Sequence, residues 1–177
     1  MKKVKSTKKI ALSGLITALS VVAMLLAYFP YFTYAIPAFA GALFFVVSIE
    51  AGRGYAIGSY IAAAIIVLLS CEKESAMLFV GFFGYYAVLK GVIEQYLKGA
   101  FAWALKLLVF NVAAVISYLV ITFVFGIPFF DGSIAPRVFL GVMLLLGNVV
   151  FCIYDVGLTR VISMYIVRLH SRIQKLF

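Results

Sequence analysis

The sequence contains very little charge for its length. Of its 177 residues, 12% are charged and 66% are hydrophobic. A soluble domain carries roughly twice this proportion of charged residues, which it needs to cover its surface. The mean hydropathy of +1.18 therefore indicates an integral membrane protein. Because so little chain is left outside a bilayer, we expect residues 1–177 to form a single membrane domain.

Histidine, cysteine and catalytic motifs are also scarce. His170 is the only histidine, and Cys71 and Cys152 form no CxxC motif that would indicate a metal site. No phosphate-binding loop, GxSxG, HExxH or paired-carboxylate pattern is present. We therefore expect no enzyme activity, no metal and no cofactor, and any ATP-driven work would need partner subunits. No nucleic-acid-binding motif interrupts the apolar runs, so the net charge of +9 does not indicate a nucleic-acid partner.

Apolar runs divided at charges, prolines and glycines predict an all-α membrane protein, a bundle of six transmembrane helices. The predicted spans cover residues 10–29, 35–49, 55–70, 76–89, 107–125 and 138–158. We expect a charged loop at Cys71–Ser75, an amphipathic connection over residues 91–105, and a basic amphipathic tail on the membrane surface over residues 160–177. The second and third spans are short, so a re-entrant hairpin remains open for them.

The basic residues predict the orientation. If both termini are cytoplasmic, every lysine and arginine except Lys73 and Arg137 falls on the cytoplasmic side. This is the positive-inside asymmetry of a multi-pass protein in a bacterial plasma membrane. The loops that contain Lys73 and Arg137 then face outwards.

The fourth predicted span begins beside three charges and continues as an aromatic run. Glu72, Lys73 and Glu74 would lie at the outer mouth, where they could bind the charged groups of a substrate. Phe79 and Phe83 are spaced i and i+4, so on an α-helix they share a face that could stack a planar ligand. The alternatives are a solvated loop and ordinary core phenylalanines.

The fifth and sixth spans carry the remaining polar candidates. Tyr118 is in the outer half of its span, and Arg137 lies in an outer loop with Asp131. Asn148 begins a polar stripe that continues to Asp155 at i+7. An asparagine in hydrocarbon needs a hydrogen-bond partner, so the alternative role for Asn148 is to join helices.

Two residues are expected on the cytoplasmic side of the bundle. Asp155 lies too near that side for an outer pocket, and we expect it to pair with Arg160 or Lys106. Tyr86 lies deep in the fourth span and would anchor at the cytoplasmic interface.

Small residues form one face of the first helix. Ala11, Gly14 and Ala18 are spaced i, i+3 and i+7, which permits close approach of another helix. That helix belongs either to a partner subunit or to this chain. The stretch KKIALSGLITALSVV resembles the first helix of the substrate-binding S components of energy-coupling factor (ECF) transporters, although Gly14 stands at one position of the family's AxxxA-type motif.

The resemblance implies a function. Ala11, Gly14 and Ala18 would dock a transmembrane coupling subunit that works with ATPase subunits. An outer pocket including Asn148 would capture a small molecule such as a vitamin. Two rival hypotheses remain open: a non-transport membrane scaffold of the MreD type, and a small lipid or polyprenyl-phosphate translocase in which Lys73 and Arg137 contact phosphate.

Overall fold

The structure, a computed structural model, describes residues 6–126 and 136–170, without the side chains of Pro30, residues 136–140 and His170. Helices make up 91% of the described part, and that part contains no strand. Five helical segments are long and apolar enough to span a membrane, namely Ser6–Tyr28, Arg53–Ser70, Lys73–Tyr96, Gly99–Phe123 and Gly141–Leu169. The predicted helical membrane protein is therefore confirmed, whereas the predicted second span is represented by a shorter apolar helix, Ala35–Glu50.

Residues 6–70 contain four α-helices. They are α1 (Ser6–Leu25), α2 (Ala35–Ala42), α3 (Phe44–Glu50) and α4 (Arg53–Ser70). One 3-10 turn (Leu26–Tyr28) extends α1, and a second (Pro30–Phe32) follows it, because proline cannot continue a helix but suits the start of one. Leu43 separates α2 from α3. Gly52 precedes α4 with a φ of 106°, a conformation that favours glycine at this sharp turn.

Helices α1 and α4 run side by side in the same direction. Ser6 Oγ lies 3.3 Å from Tyr55 Oη near their first turns. Beyond their last turns, the Tyr28 hydroxyl donates to the Ser70 carbonyl at 2.7 Å. These contacts define two ends of the bundle, which we call the Ser6 end and the Ser70 end.

The fourth predicted span differs from the structure at both ends. The helical rod begins at Lys73 as α5 (Lys73–Leu78), passes through a π-helical segment (Phe79–Phe83) and continues as α6 (Gly84–Tyr96). The predicted connection over residues 91–105 is not a loop: only Leu97 and Lys98 separate α6 from α7 (Gly99–Phe123). Gly99 starts α7 with a φ of 61°, which allows this tight reversal.

The last helix, α8, spans Pro136–Tyr165 and is followed by a π-helical segment, Ile166–His170. It continues without a break through residue 160, where the sequence predicted the tail to begin. Tyr165 lies at the Ser6 end, because its hydroxyl donates to Glu50 Oε1 at 2.9 Å.

The π-helical segment connects two clusters of buried residues. Phe79 belongs to the first cluster, with Phe44 and other residues of α1 to α4. Phe82 belongs to the second cluster, with Tyr86 and Phe151. Because apolar residues gain nothing by leaving lipid for protein, packing and hydrogen bonds hold such helices together. One rod thereby joins α1–α4 on one side to α7 and α8 on the other.

Candidate functional site

An open groove runs between α1 and α4. Its volume is about 910 Å³, and its lining is almost entirely apolar. The lining residues are Ile10, Ser13, Gly14, Thr17, Ala18, Val21, Val22, Gly54, Tyr55, Gly58, Ser59, Ala62 and Ile66. The groove thus contains two of the three predicted docking residues, together with glycines of α4 that the sequence analysis did not single out.

Glycines form open positions in this groove. A Cβ atom added to Gly14, Gly54 or Gly58 would meet nothing within 4 Å. Ala11 and Ala18 are also exposed, although Ala11 does not line the groove. The predicted small-residue face of α1 therefore borders α4 but stays open within the described part of the chain, and a second helix could approach its backbone closely.

Two hydroxyl groups belong to the groove lining. Ser59 is 5% exposed, and Ser13 is half-buried. Neither hydroxyl has a hydrogen-bond partner within the described part of the chain. Thr17, by contrast, donates to the Ser13 carbonyl at 2.8 Å. Both serine hydroxyl oxygens are buried beneath the groove, so the surface that the groove presents is apolar.

The three charges predicted at the outer mouth lie at the Ser70 end. Glu72 and Lys73 are exposed, and Glu74 is half-buried. The Ser75 hydroxyl donates to Glu72 Oε2 at 3.3 Å. Lys73 Nζ donates to the Leu68 carbonyl at 3.2 Å and lies 5.6 Å from the Phe125 ring centroid. These contacts connect the helix ends around the charged residues.

The two aromatic candidates point in different directions. Phe79 is fully buried, with its ring centroid 6.2 Å from that of Phe44. Phe83 is half-buried, and its ring packs edge-on against Tyr154 at 5.0 Å. Both residues lie in the π-helical segment but pack against different helices, Phe79 against α3 and Phe83 against α8, so they do not form one ligand face.

Asn148 pairs with Asn111 across α7 and α8. Each side-chain amide nitrogen donates to the other's oxygen at 2.9 Å. Asn148 Nδ2 also donates to the Leu144 carbonyl at 2.7 Å. Asn148 therefore joins two helices, which was the alternative role given for it in the sequence analysis.

Within the described part of the chain, Phe79 and Phe83 do not form one site with the asparagine pair. Tyr118 is half-buried on α7. Arg137 lies in the first turn of α8, and its side chain is outside the described part of the chain, as is Asp131. Phe79, Phe83 and Asn148 each contact different partners.

A ring of alternating charges lies towards the Ser6 end, where α6, α7 and α8 meet. Lys90 Nζ contacts Glu94 Oε1 at 2.8 Å and Asp155 Oδ1 at 2.5 Å. Lys106 Nζ contacts the same Glu94 oxygen at 2.5 Å and Asp155 Oδ2 at 3.1 Å. The Tyr86 hydroxyl donates to Asp155 Oδ1 at 2.6 Å. We call Lys90, Glu94, Lys106 and Asp155 the charge ring.

Three of the four members of the charge ring are buried. The side chains of Lys90, Lys106 and Asp155 are 1%, 4% and 2% exposed, whereas that of Glu94 is 42% exposed. Charges taken out of water need close partners, and each buried member has an opposite charge on either side. Ionisable residues inside membrane helices are costly and commonly functional, which makes the ring the second candidate site.

Sequence reasoning found only part of this ring. The predicted Asp155–Lys106 pair is present, whereas Arg160 is exposed on α8. Tyr86 is fully buried and bonded to Asp155, which differs from the interfacial anchor that we expected. The available signal was the i, i+4, i+8 spacing of Tyr86, Lys90 and Glu94. This spacing is hard to recognise in the sequence, because a lysine at the end of an apolar run also predicts the end of a membrane span.

Comparison of the chain with protein-family models, with curated proteins and with solved structures gives no match.

Proposed function

We propose that this chain is the substrate-binding membrane subunit of an ATP-driven uptake transporter for a vitamin or a related micronutrient. It would cross the bacterial plasma membrane six times, with both termini in the cytoplasm. The chain captures its small-molecule substrate at the outer face. A transmembrane coupling subunit, powered by ATPase subunits, then drives release into the cell.

The observation that carries this proposal is the groove between α1 and α4. Three open glycine positions lie together in this groove, whereas the open positions Gly141 and Gly157 do not line it. Gly14, Gly54 and Gly58 leave the backbone accessible, and small residues at such positions are typical of helix–helix contacts in lipid. The groove surface is almost entirely apolar, so a helix in it would be held by close packing rather than by hydrogen bonds. The occupant that we propose is a helix of the coupling subunit.

The positions of α2 and α3 support six crossings. The Ser20 hydroxyl near the end of α1 donates to the Ala40 carbonyl of α2 at 3.1 Å. Glu50, the last residue of α3, reaches Tyr165 at the Ser6 end. The short helix Ala35–Glu50 thus leads from the region beside the end of α1 back towards the Ser6 end, as a second crossing requires.

The docking role is tested with a matched pair of glycine substitutions. Gly58→Leu fills the groove, whereas Gly157→Leu adds the same side chain to an exposed position of α8 that also meets nothing within 4 Å. We expect the tagged Gly58→Leu protein, purified from its native membranes, to lose an ATPase-containing transporter complex that wild type and Gly157→Leu retain. Retention of the complex by Gly58→Leu would contradict the groove as its docking surface.

The substrate-binding role has its own test. Vitamins and nucleobase-like compounds are added to the detergent-purified protein, and thermal unfolding is followed. A specific ligand at a hundred times its Kd raises the free energy of unfolding by about 2.7 kcal/mol. If no compound shifts the transition and no ATPase co-purifies, the proposal fails.

The asparagine pair favours a second candidate, a non-transport scaffold of the MreD type. Asn148 has its hydrogen bonds met inside the chain, and Phe79 is buried among core side chains. In a scaffold, such residues serve only to hold helices together. Substitution of Asn148 and Tyr118 separates the two functions, because a scaffold would lose stability and has no ligand to lose, whereas a transporter subunit would lose affinity for its ligand while remaining folded.

A further inference from the structure

The charge ring is neutral as a whole, but its buried part is not. Lys90 and Lys106 contribute two positive charges, and Asp155 contributes one negative charge. The buried part therefore carries a net charge of +1. The balancing negative charge comes from Glu94, the one ring member that reaches the surface.

Glu94 contacts the two lysines as a small anion would. A single oxygen, Oε1, accepts from Lys90 at 2.8 Å and from Lys106 at 2.5 Å. Ammonium groups that share one oxygen in this way form charge-assisted hydrogen bonds, the strong class that also binds phosphate. Glu94 belongs to α6 and is 42% exposed, so its side chain can turn towards water without any movement of a helix.

An incoming anion cannot displace Asp155 from the lysines in the same way. It is 2% exposed, and it accepts hydrogen bonds from Tyr86 as well as from both lysines. It therefore fixes the positions of the two ammonium groups whether or not Glu94 is bound to them.

We propose that Lys90 and Lys106 form a binding site for a phosphate-type oxyanion, and that the Glu94 carboxylate occupies this site until the anion displaces it. The anion is either the headgroup phosphate of an acidic phospholipid or a free phosphate. In either case, one anion oxygen takes the position of Glu94 Oε1 between the two lysines.

The surroundings of the site favour an anion. Arg53 and Lys98 are exposed at the same end of the bundle and add positive charge around the opening. The ring of Trp103, an amphipathic residue typical of the membrane interface, lies 5.1 Å from Lys106 Nζ. A cationic ligand would have to approach this basic surface and would find Glu94 already paired with two lysines.

The experiment removes the internal carboxylate. Glu94→Gln leaves the buried charge of +1 unbalanced, so we expect it to bind the anion about tenfold more tightly than wild type does. Glu74→Gln makes the same chemical change at the Ser70 end and should bind as wild type does. The double variant Glu94→Gln, Lys106→Met restores a neutral pair of Lys90 and Asp155, and it should lose the site.

Two probes distinguish the source of the anion. One arm measures binding of phosphatidylglycerol against phosphatidylcholine by native mass spectrometry. The other measures thermal stabilisation by inorganic phosphate against chloride at equal ionic strength. If Glu94→Gln binds more tightly only in the lipid arm, the anion is a lipid headgroup. If it binds more tightly only in the phosphate arm, the anion is a free phosphate. Equal behaviour of Glu94→Gln and Glu74→Gln in both arms overturns the proposal.

A measurement on the wild-type protein covers the case in which Glu94→Gln does not fold. Anion binding releases Glu94 from the lysines, so a water-soluble carbodiimide should modify Glu94 several-fold faster in vesicles of phosphatidylglycerol than in vesicles of phosphatidylcholine. Modification of Glu74 serves as the internal reference. The proposal is overturned if the rate for Glu94, relative to Glu74, is the same in both vesicles and is also unchanged when sulfate, a tetrahedral oxyanion like phosphate, is added to the phosphatidylcholine vesicles.

Discussion

Inside the bundle, polar side chains are stabilised by hydrogen bonds to side chains of neighbouring helices. The amides of Asn111 and Asn148 donate to each other between α7 and α8. Replacing Asn148 with leucine leaves the Asn111 amide without its partner, so we expect a loss of about 1 kcal/mol in unfolding free energy. Thermal unfolding in detergent measures this loss.

The double variant completes the cycle for this pair. Asn111→Leu combined with Asn148→Leu removes both amides together, so the double variant should be destabilised by less than the sum of the two single variants. Strictly additive losses would show that the two amides do not interact.

Cys71 lies in the short turn between α4 and α5, and it is 5% exposed. Burial raises the pKa of its thiol above the ordinary value of about 8.5. Because only the thiolate is nucleophilic, we expect slow maleimide labelling at neutral pH, increasing as the pH rises above that ordinary value. Because its pKa is higher in the folded state, the protonated thiol stabilises the folded state at pH values below the unfolded pKa. This contribution is lost as the pH rises through the folded pKa.

The labelling experiment uses a Cys152→Ser variant, because Cys152 is the other free cysteine. Its rate is measured over a pH series in the native and denatured states. Native labelling as fast as denatured labelling at every pH would rule out the raised pKa.

The sequence identified the polar residues of the membrane interior more readily than their partners. Asn148 and Asp155 were recognisable because an amide or a carboxylate in hydrocarbon is costly. The partner of Asn148 depends on how α7 and α8 pack, which spacing along one chain does not specify. The spacing of Phe79 and Phe83 predicts a shared ligand face, whereas Phe79 is buried in the core against Phe44.

At the scale of elements, the π-helical segment lies where two helices approach very closely. A Cβ atom on Gly41 of α2 would overlap the backbone carbonyl of Phe83. A Cβ atom on Gly81 would instead overlap the hydroxyl of Ser117, a side chain that can rotate. We expect Gly41→Ala to destabilise the protein by about 1–3 kcal/mol and Gly81→Ala by less.

Gly141→Ala provides the control for both changes. A Cβ atom at Gly141 meets nothing within 4 Å, so alanine should be neutral or stabilise the protein by up to about 1 kcal/mol. Unfolding in a denaturing detergent ranks the three variants. Equal losses at Gly41 and Gly141 would argue against the close contact between α2 and the π-helical segment.

Some helix ends were predictable from a charge or a proline in the sequence. The limits of α4 agree with the predicted third span to within two residues. The limits of α6 do not, because Lys90 is buried and paired with Asp155 rather than exposed at a helix end. A charge therefore ends a membrane helix only when no opposite charge from another helix reaches it.

At the scale of the whole molecule, the two candidate sites lie on different parts of the bundle. The groove belongs to α1 and α4, whereas the charge ring belongs to α6, α7 and α8. The rod from Lys73 to Tyr96 contains Phe79 of the first cluster and Phe82 of the second. Filling the groove at Gly58 should consequently leave anion binding at the charge ring unchanged.

The combined length of α2 and α3 affects the bilayer thickness in which the protein is most stable. With eight residues in α2, seven in α3 and Leu43 between them, the short helix Ala35–Glu50 measures about 24 Å, less than the ~30 Å of a typical hydrocarbon core. In the six-crossing arrangement that we propose, lipid beside this helix must thin or leave polar ends in hydrocarbon, at a cost of fractions of a kcal/mol per Å of mismatch. We expect higher thermal stability in short-chain than in long-chain phosphatidylcholine, and equal stability in both would contradict it. Hydrophobic mismatch would then sort this protein into thinner regions of its membrane.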